Sequence, residues 1–229
     1  MLDPSIYFEK ADEPHVRPRR PLAPGDIFRG VPLAWVPKHK DPFEQSAAKA
    51  PQKTVMLLGH PCAIYGGGRP ATCLTIAEVR PKAQACGDRS FDAPWAGFSY
   101  LFPLPLLSEN EDYVVDFRRV GSVHYKYLED SRVACLTHEG WAYLHQRYAF
   151  HTGRVDLEFD ESFDSMEEYW NEFELWERWN ESREPAEFQE WLKGESTSAA
   201  YPGTNRQELL KFAPDELLAE MLAMGEGNS

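Results

Sequence analysis

His60, Pro61 and Cys62 place an imidazole and a thiol two residues apart, the tightest pairing of a base with a possible nucleophile in the chain. A thiolate attacks only with a neighbouring base and a lowered pKa, so this pair needs a turn that folds the two side chains together. The other cysteines, Cys73, Cys86 and Cys135, lack the two- to four-residue spacing of zinc ligands, and four scattered cysteines are too few for a disulfide framework. Reduced, buried thiols are expected. His138-Glu139 is followed by His145, which is seven residues from His138. A helix-borne zinc pair needs one turn between its imidazoles, so the metalloprotease pattern is absent. Gly66-Gly67-Gly68 has no Lys-Ser/Thr pair behind it and reads as a hairpin tip rather than a phosphate cradle. The run Asp160, Glu161, Asp164, Glu167, Glu168, Glu172, Glu174, Glu177 and Glu181 reads as the solvated face of an amphipathic helix. No catalytic residue, metal ligand or cofactor-binding residue is expected, and no cofactor.

The elements that would carry these residues are legible in the pattern. Residues 1–24 hold Pro4, Pro14, Pro18, Pro21 and Pro24 with Arg17, Arg19 and Arg20, which predicts an extended Pro-rich N-terminal arm with a basic handle. Pro24-Gly25-Asp26 is turn chemistry. Strands are predicted over 27–36, 54–58, 72–79, 99–102, 113–117 and 133–136, with Pro103 and Pro105 breaking the chain between the fourth and fifth. Short strands at this spacing favour a small barrel or sandwich over a parallel sheet. Thr137 is expected to cap a helix running to about His151, with Trp141, Leu144 and Tyr148 on one face.

Beyond His151 the period becomes helical. Ser165 and Glu168 form a capping box before Met166, Tyr169, Trp170, Phe173, Trp176 and Trp179. Pro185 opens a second helix ending near Gly194, and Thr204 and Pro214 open the last segments. The fold class is α+β with a mainly β core. It divides into the arm over 1–24, a β-rich barrel-like core over 25–152 with its helix near 137–151, and an acidic, aromatic-rich helical appendage over 153–229.

Charge follows the same division. The net charge is −13, yet residues 1–150 hold 18 Lys and Arg against 17 Asp and Glu, while residues 151–229 hold 6 against 20. Carboxylates repel phosphate, so nucleic acid is not expected on the C-terminal third. No apolar run approaches the roughly 20 residues of a membrane span, and no membrane partner is expected. Met1 to Lys10 has no basic start followed by an apolar stretch, which predicts a cytoplasmic location, or a virion one for a phage-encoded chain.

Pro24-Gly25-Asp26-Ile27, the strand Lys53-Thr54-Val55-Met56-Leu57-Leu58, the tip from Gly66 to Pro70 and the strand Thr72 to Val79 resemble successive strands of the MazF/PemK toxin family. The resemblance implies a small SH3-like β-barrel. It also implies an RNA-cutting site built from an arginine at the start of the second strand and a Ser or Thr at the end of the third. The matching places hold Lys53 and Val79-Arg80, without a hydroxyl. Three functions are in view. The first is a non-enzymatic protein-interaction or assembly component, by analogy a phage-type virion or neck protein. Its partner-binding residues would be Arg17, Arg19, Arg20, Trp170, Phe173, Trp176 and Trp179, meeting protein partners in a larger assembly. The second is a MazF/PemK-like endoribonuclease with altered catalytic residues. The third is an acidic inhibitor that mimics nucleic acid.

Overall fold

The structure is a computed structural model that describes residues 6–10, 20–34, 50–66, 69–86, 98–108, 111–128 and 131–226. Its centre is a seven-stranded antiparallel sheet built from β1 (Tyr7–Lys10), β2 (Ile27–Pro32), β3 (Gln52–Leu57), β6 (Cys73–Pro81), β7 (Leu101–Ser108), β8 (Glu111–His124) and β9 (Arg132–Leu136). Between β3 and β6 lie a short helix, α1 (Pro61–Ile64), and a two-stranded ribbon of β4 (Tyr65–Gly66) and β5 (Arg69–Pro70). A short helix α2 (Lys82–Cys86) follows β6. A single 3-10 turn (Tyr125–Tyr127) links β8 to β9, and five helices follow: α3 (His138–Gly153), α4 (Phe159–Asn180), α5 (Pro185–Leu192), α6 (Arg206–Leu209) and α7 (Pro214–Glu226). The strand order is β1-β9-β2-β3-β6-β8-β7, so the sheet ends on β1 and β7 and curls as a half-barrel rather than closing.

Period-two alternation gives the sheet two buried faces. Ile27, Met56, Ala77, Val79, Val115 and Leu136 face α3 and α4, where Trp141, Leu144 and Phe173 complete one core. Phe28, Val31, Val55, Leu57, Leu74 and Ile76 face the other way and close a second core with Ile64, Val123 and Leu128. A third core lies among the helices, with Trp176, Trp179, Phe188 and Trp191 at its centre. Trp176 stacks on Phe188 at 5.6 Å with 7° between the rings. The α+β class with a mainly β core is therefore observed, and the first core crosses the boundary at 152, since Trp141 packs edge-on against Phe173 at 5.4 Å.

Several elements differ from the sequence expectation. Pro103 and Pro105 lie inside β7 instead of breaking it, because β7 is an edge strand whose missing N–H groups need no partner. The strand expected over 27–36 ends at Pro32, and residues 35–40 lie outside the described residues. The glycine tip belongs to the separate β4–β5 ribbon rather than to a direct β3–β6 hairpin, with Gly67 and Gly68 outside the described residues. α4 starts six residues before Ser165, with Glu158 at its N-cap, and the Ser165 hydroxyl donates to the Ser162 carbonyl instead of capping. The described parts of the arm are strand β1, paired with β9, and a buried stretch from Arg20 to Pro24. Thr137 caps α3 as expected, accepting from the Gly140 N–H at 3.1 Å. Gly25 has φ +81, and a Cβ there would lie 2.4 Å from Leu136 Cδ1, so the turn into β2 requires glycine.

Candidate functional site

The densest constellation of charge lies on β3, β6 and β8. Lys53, Val55 and Leu57 share one face of β3, and Leu74, Ile76, Glu78 and Arg80 share one face of β6. The second core thus gives way to charge along the same face. Glu78 and Asp116 are direct cross-strand partners, and the register then shifts so that Ala77 faces Val120. The bulge thrown out of β8 carries Arg118 and Arg119. Two carboxylates side by side repel, and the bulge brings the cations that compensate them.

Lys53 Nζ lies 2.8 Å from Glu78 Oε1, and Arg119 Nη1 lies 2.8 Å from Glu78 Oε2. Arg118 grips Asp116 with both arms of its guanidinium, Nε and Nη2 each at 2.9 Å. Arg80 Nη1 reaches the same carboxylate at 3.5 Å. Burial pushes both carboxyls up, but the hydrogen bonds from Lys53 and Arg119 on Glu78, and from Arg118 on Asp116, hold each below the ordinary carboxylate range. Such carboxylates are weak bases, so the cluster is built to hold charge rather than to abstract a proton. Four cations on two anions leave an excess of two positive charges. The side chains of Arg118 and Arg119 are 50% and 51% exposed. The Arg118 guanidinium also lies 3.6 Å above the Tyr100 ring. Lys53 and Arg80, the places implied by the toxin-family resemblance, are thus brought together. Arg118, Arg119 and Tyr100 were missed, because nothing in the local pattern of β8 announces the bulge.

The residues expected to bind partners fall elsewhere. Arg17 and Arg19 lie outside the described residues. Arg20 is buried, reaching Glu177 at 3.7 Å and lying 4.6 Å over the Phe173 ring. Beside it Arg132 Nη2 donates to the carbonyls of Arg20 and Pro21, and Arg132 Nε lies 3.1 Å from the buried Asp26. This network ties residues 20–26 to β9 and α4. Phe173, Trp176 and Trp179 are buried in the chain's own cores, and Trp170 is half-buried against His138 and Trp141. Docking of the α4 aromatics is therefore internal. Asp160, Glu161, Asp164, Glu167, Glu174 and Glu181 remain exposed, while Glu177 is buried against Arg20.

A second concave feature lies on the opposite side of the sheet, where α3 and α4 meet the loop carrying His60. One lobe, of about 270 Å³, contains His60 and His145. Burial lowers the pKa of both imidazoles, and the neighbouring His145 lowers that of His60 further. His60 meets Tyr169 edge-on at 4.3 Å, at the border with a lobe of about 220 Å³ that contains Glu172. Burial raises the Glu172 carboxyl, helped by the charge of Glu168 and opposed by a hydrogen bond from Gln189. Nothing is described of the Cys62 side chain, so the His60–Cys62 pairing lies outside the described residues.

Among the described residues, no group of three or more His, Cys, Asp or Glu is arranged to hold a metal ion, and no helix is long and apolar enough to cross a membrane. Neither a protein-family model nor a curated protein sequence matches the chain.

Proposed function

We propose that the chain is a non-enzymatic binding protein whose ligand surface is the cationic face of β3, β6 and β8, and whose ligand is the phosphate backbone of single-stranded RNA. The supporting observation is the two-charge excess on exposed guanidinium groups beside Tyr100. Arg118 and Arg119 are already paired with Asp116 and Glu78, so phosphate would meet the excess charge of the cluster, and an aromatic ring next to a cationic track is how single strands are held without sequence readout. Lys53 and Arg80 are the positions to which the MazF/PemK resemblance assigned its site. The depressed carboxylates and the missing hydroxyl argue for binding without cleavage.

The test is fluorescence anisotropy of a labelled single-stranded RNA against the full chain over a range of salt. Binding should weaken with a slope of about −0.7 per phosphate contacted in log–log form. Arg118→Gln and Arg119→Gln should each flatten that slope by about 0.7. Absence of binding at low salt, or a slope unchanged in both variants while their far-ultraviolet circular dichroism matches the parent, overturns the proposal. Cleavage of the RNA would favour the endoribonuclease reading instead.

The assembly reading keeps one specific observation in its favour. Phe212, Leu222 and Met224 are exposed large apolar residues in the α6–α7 region. A concentration-dependent mass in solution that Leu222→Glu abolishes would support it.

A further inference from the structure

The cavity of about 220 Å³ between α4 and the segments carrying Tyr65 and Gln189 has a chemistry of its own. Tyr65, Tyr169 and Trp176 line it, with the rings of Tyr65 and Trp176 4.5 Å apart between centroids. One carboxylate stands among them, Glu172, with the amides of Gln189 and Gln207, and no Lys, Arg or His lines the cavity among the described residues. Glu172 Oε1 accepts from Gln189 Nε2 at 2.9 Å, its one hydrogen bond among the described residues. Oε2 has no such partner and is not closed off from solvent. No cation among the described residues pairs with Glu172, and the one charge that acts on it is another carboxylate, Glu168. Glu177 on the same helix is by contrast matched by Arg20 at 3.7 Å. Charge withdrawn from water is normally paired, because only an opposite charge restores what burial removes. An accessible carboxylate without a cation, inside an aromatic-lined cavity, marks a place for a cation that comes from outside.

We infer that this cavity binds a methylated alkylammonium group, with the positive nitrogen at Glu172 and the methyl groups against Tyr65, Tyr169 and Trp176. Each other class of ligand meets an obstacle. An anion is repelled by Glu172 and Glu168. A neutral polar ligand leaves the charge of Glu172 uncompensated. A bare metal ion needs several ligands, and among the described residues no group of three or more His, Cys, Asp or Glu is arranged to supply them. A methylated ammonium carries its charge inside an apolar shell, so it gives up little hydration on entering, and aromatic rings attract it through their quadrupole. The same aromatic group already holds one cation in this way, Arg20 lying 4.6 Å over the ring of Phe173, which also lines the cavity. Pockets for drug-sized ligands run to roughly 300–1,000 Å³, so this smaller volume suits a headgroup rather than a whole cofactor. Two sources carry that headgroup, a free small molecule such as choline and a methylated lysine side chain.

Isothermal titration calorimetry of the full chain at constant ionic strength tests the inference with choline and with a short peptide bearing trimethyllysine. At least one should bind with a Kd below about 1 mM, and the tighter of the two identifies the source. Each probe has a control that lacks one feature: the carbon isostere of choline, in which a tert-butyl group replaces the trimethylammonium, and the same peptide with unmethylated lysine. The control of the probe that binds should be at least about tenfold weaker. Glu172→Gln keeps an acceptor for Gln189 and removes only the charge, so it should weaken binding at least about tenfold while the urea midpoint of the free chain does not fall. Gln207→Trp covers the cavity from an exposed position, should weaken binding as much, and keeps the test valid if Glu172→Gln fails to fold. Failure of both probes to bind, a control that binds as tightly as its probe, or binding indifferent to either variant would each overturn the assignment. The cavity shares no residue with the cationic face, so RNA binding succeeds or fails separately.

Discussion

Replacing Glu220 with Gln probes the buried ion pair that joins α6 and α7. The Glu220 side chain is 4% exposed and accepts from Arg206 Nε at 3.1 Å, Arg206 Nη2 at 2.5 Å, Ser196 Oγ at 2.7 Å and Thr197 Oγ1 at 2.9 Å. Burial pushes its carboxyl up, yet Arg206, Ser196 and Thr197 outweigh burial and hold the pKa at about 2, against an ordinary value of 4.5. A folded pKa below the unfolded one stabilises the fold fully above the unfolded value. That stabilisation is lost as pH falls from about 4.5 through about 2. With 1.36 kcal/mol for each unit, the difference amounts to about 3 kcal/mol. Glu220→Gln removes the charge and leaves the Arg206 guanidinium buried beside a neutral group, so the loss near neutral pH should be roughly 3 kcal/mol. Urea unfolding of parent and variant, followed by far-ultraviolet circular dichroism from neutral pH downward, should show a gap that narrows below about pH 4.5. A gap that does not depend on pH, or one below about 1 kcal/mol at neutral pH, would refute the reasoning.

Gly140→Ala should destabilise the fold by about 1–3 kcal/mol although Ala is the better helix former, because a Cβ there would lie 2.7 Å from the Ile6 carbonyl and 2.9 Å from Leu136 Cβ. Hydrogen exchange should show β1 losing protection first. Trp176→Ala should cost roughly 3–5 kcal/mol in chemical unfolding, since the ring is buried and stacked on Phe188. A combined Glu167→Gln, Glu174→Gln, Glu181→Gln variant should change stability by less than about 1 kcal/mol, all three carboxylates being exposed. The opposite order in the same assay would show that the charged face of α4, not its aromatic face, holds the helix in place.

The sequence by itself marked most of the longer strands and helices, because those choices rest on local physics, while β1, α1, the β4–β5 ribbon and α2 were not among them. The apolar runs over Thr54 to Leu58 and Thr72 to Val79, bounded by turn residues, mark extended chain, and Thr137 before the Trp141, Leu144 and Tyr148 spacing marks a capped helix. It also placed the acidity on the solvent side of α4, since apolar groups at helical spacing must turn inward. Tertiary structure decided what each face meets. Phe173, Trp176 and Trp179 had the pattern of a docking surface, and only the packing of α4 on α3 and α5 showed that they dock within the chain. Arg20 looked like part of a basic handle, but burial beside Phe173 and Glu177 depends on contacts 153 and 157 residues away in sequence. The cationic face depends on a register shift between β6 and β8, and register is a property of paired strands that no single strand encodes. The cleft at His60 arises the same way, because the loop after β3, α3 and α4 are far apart in the chain and meet only when the sheet buries its face against the helices.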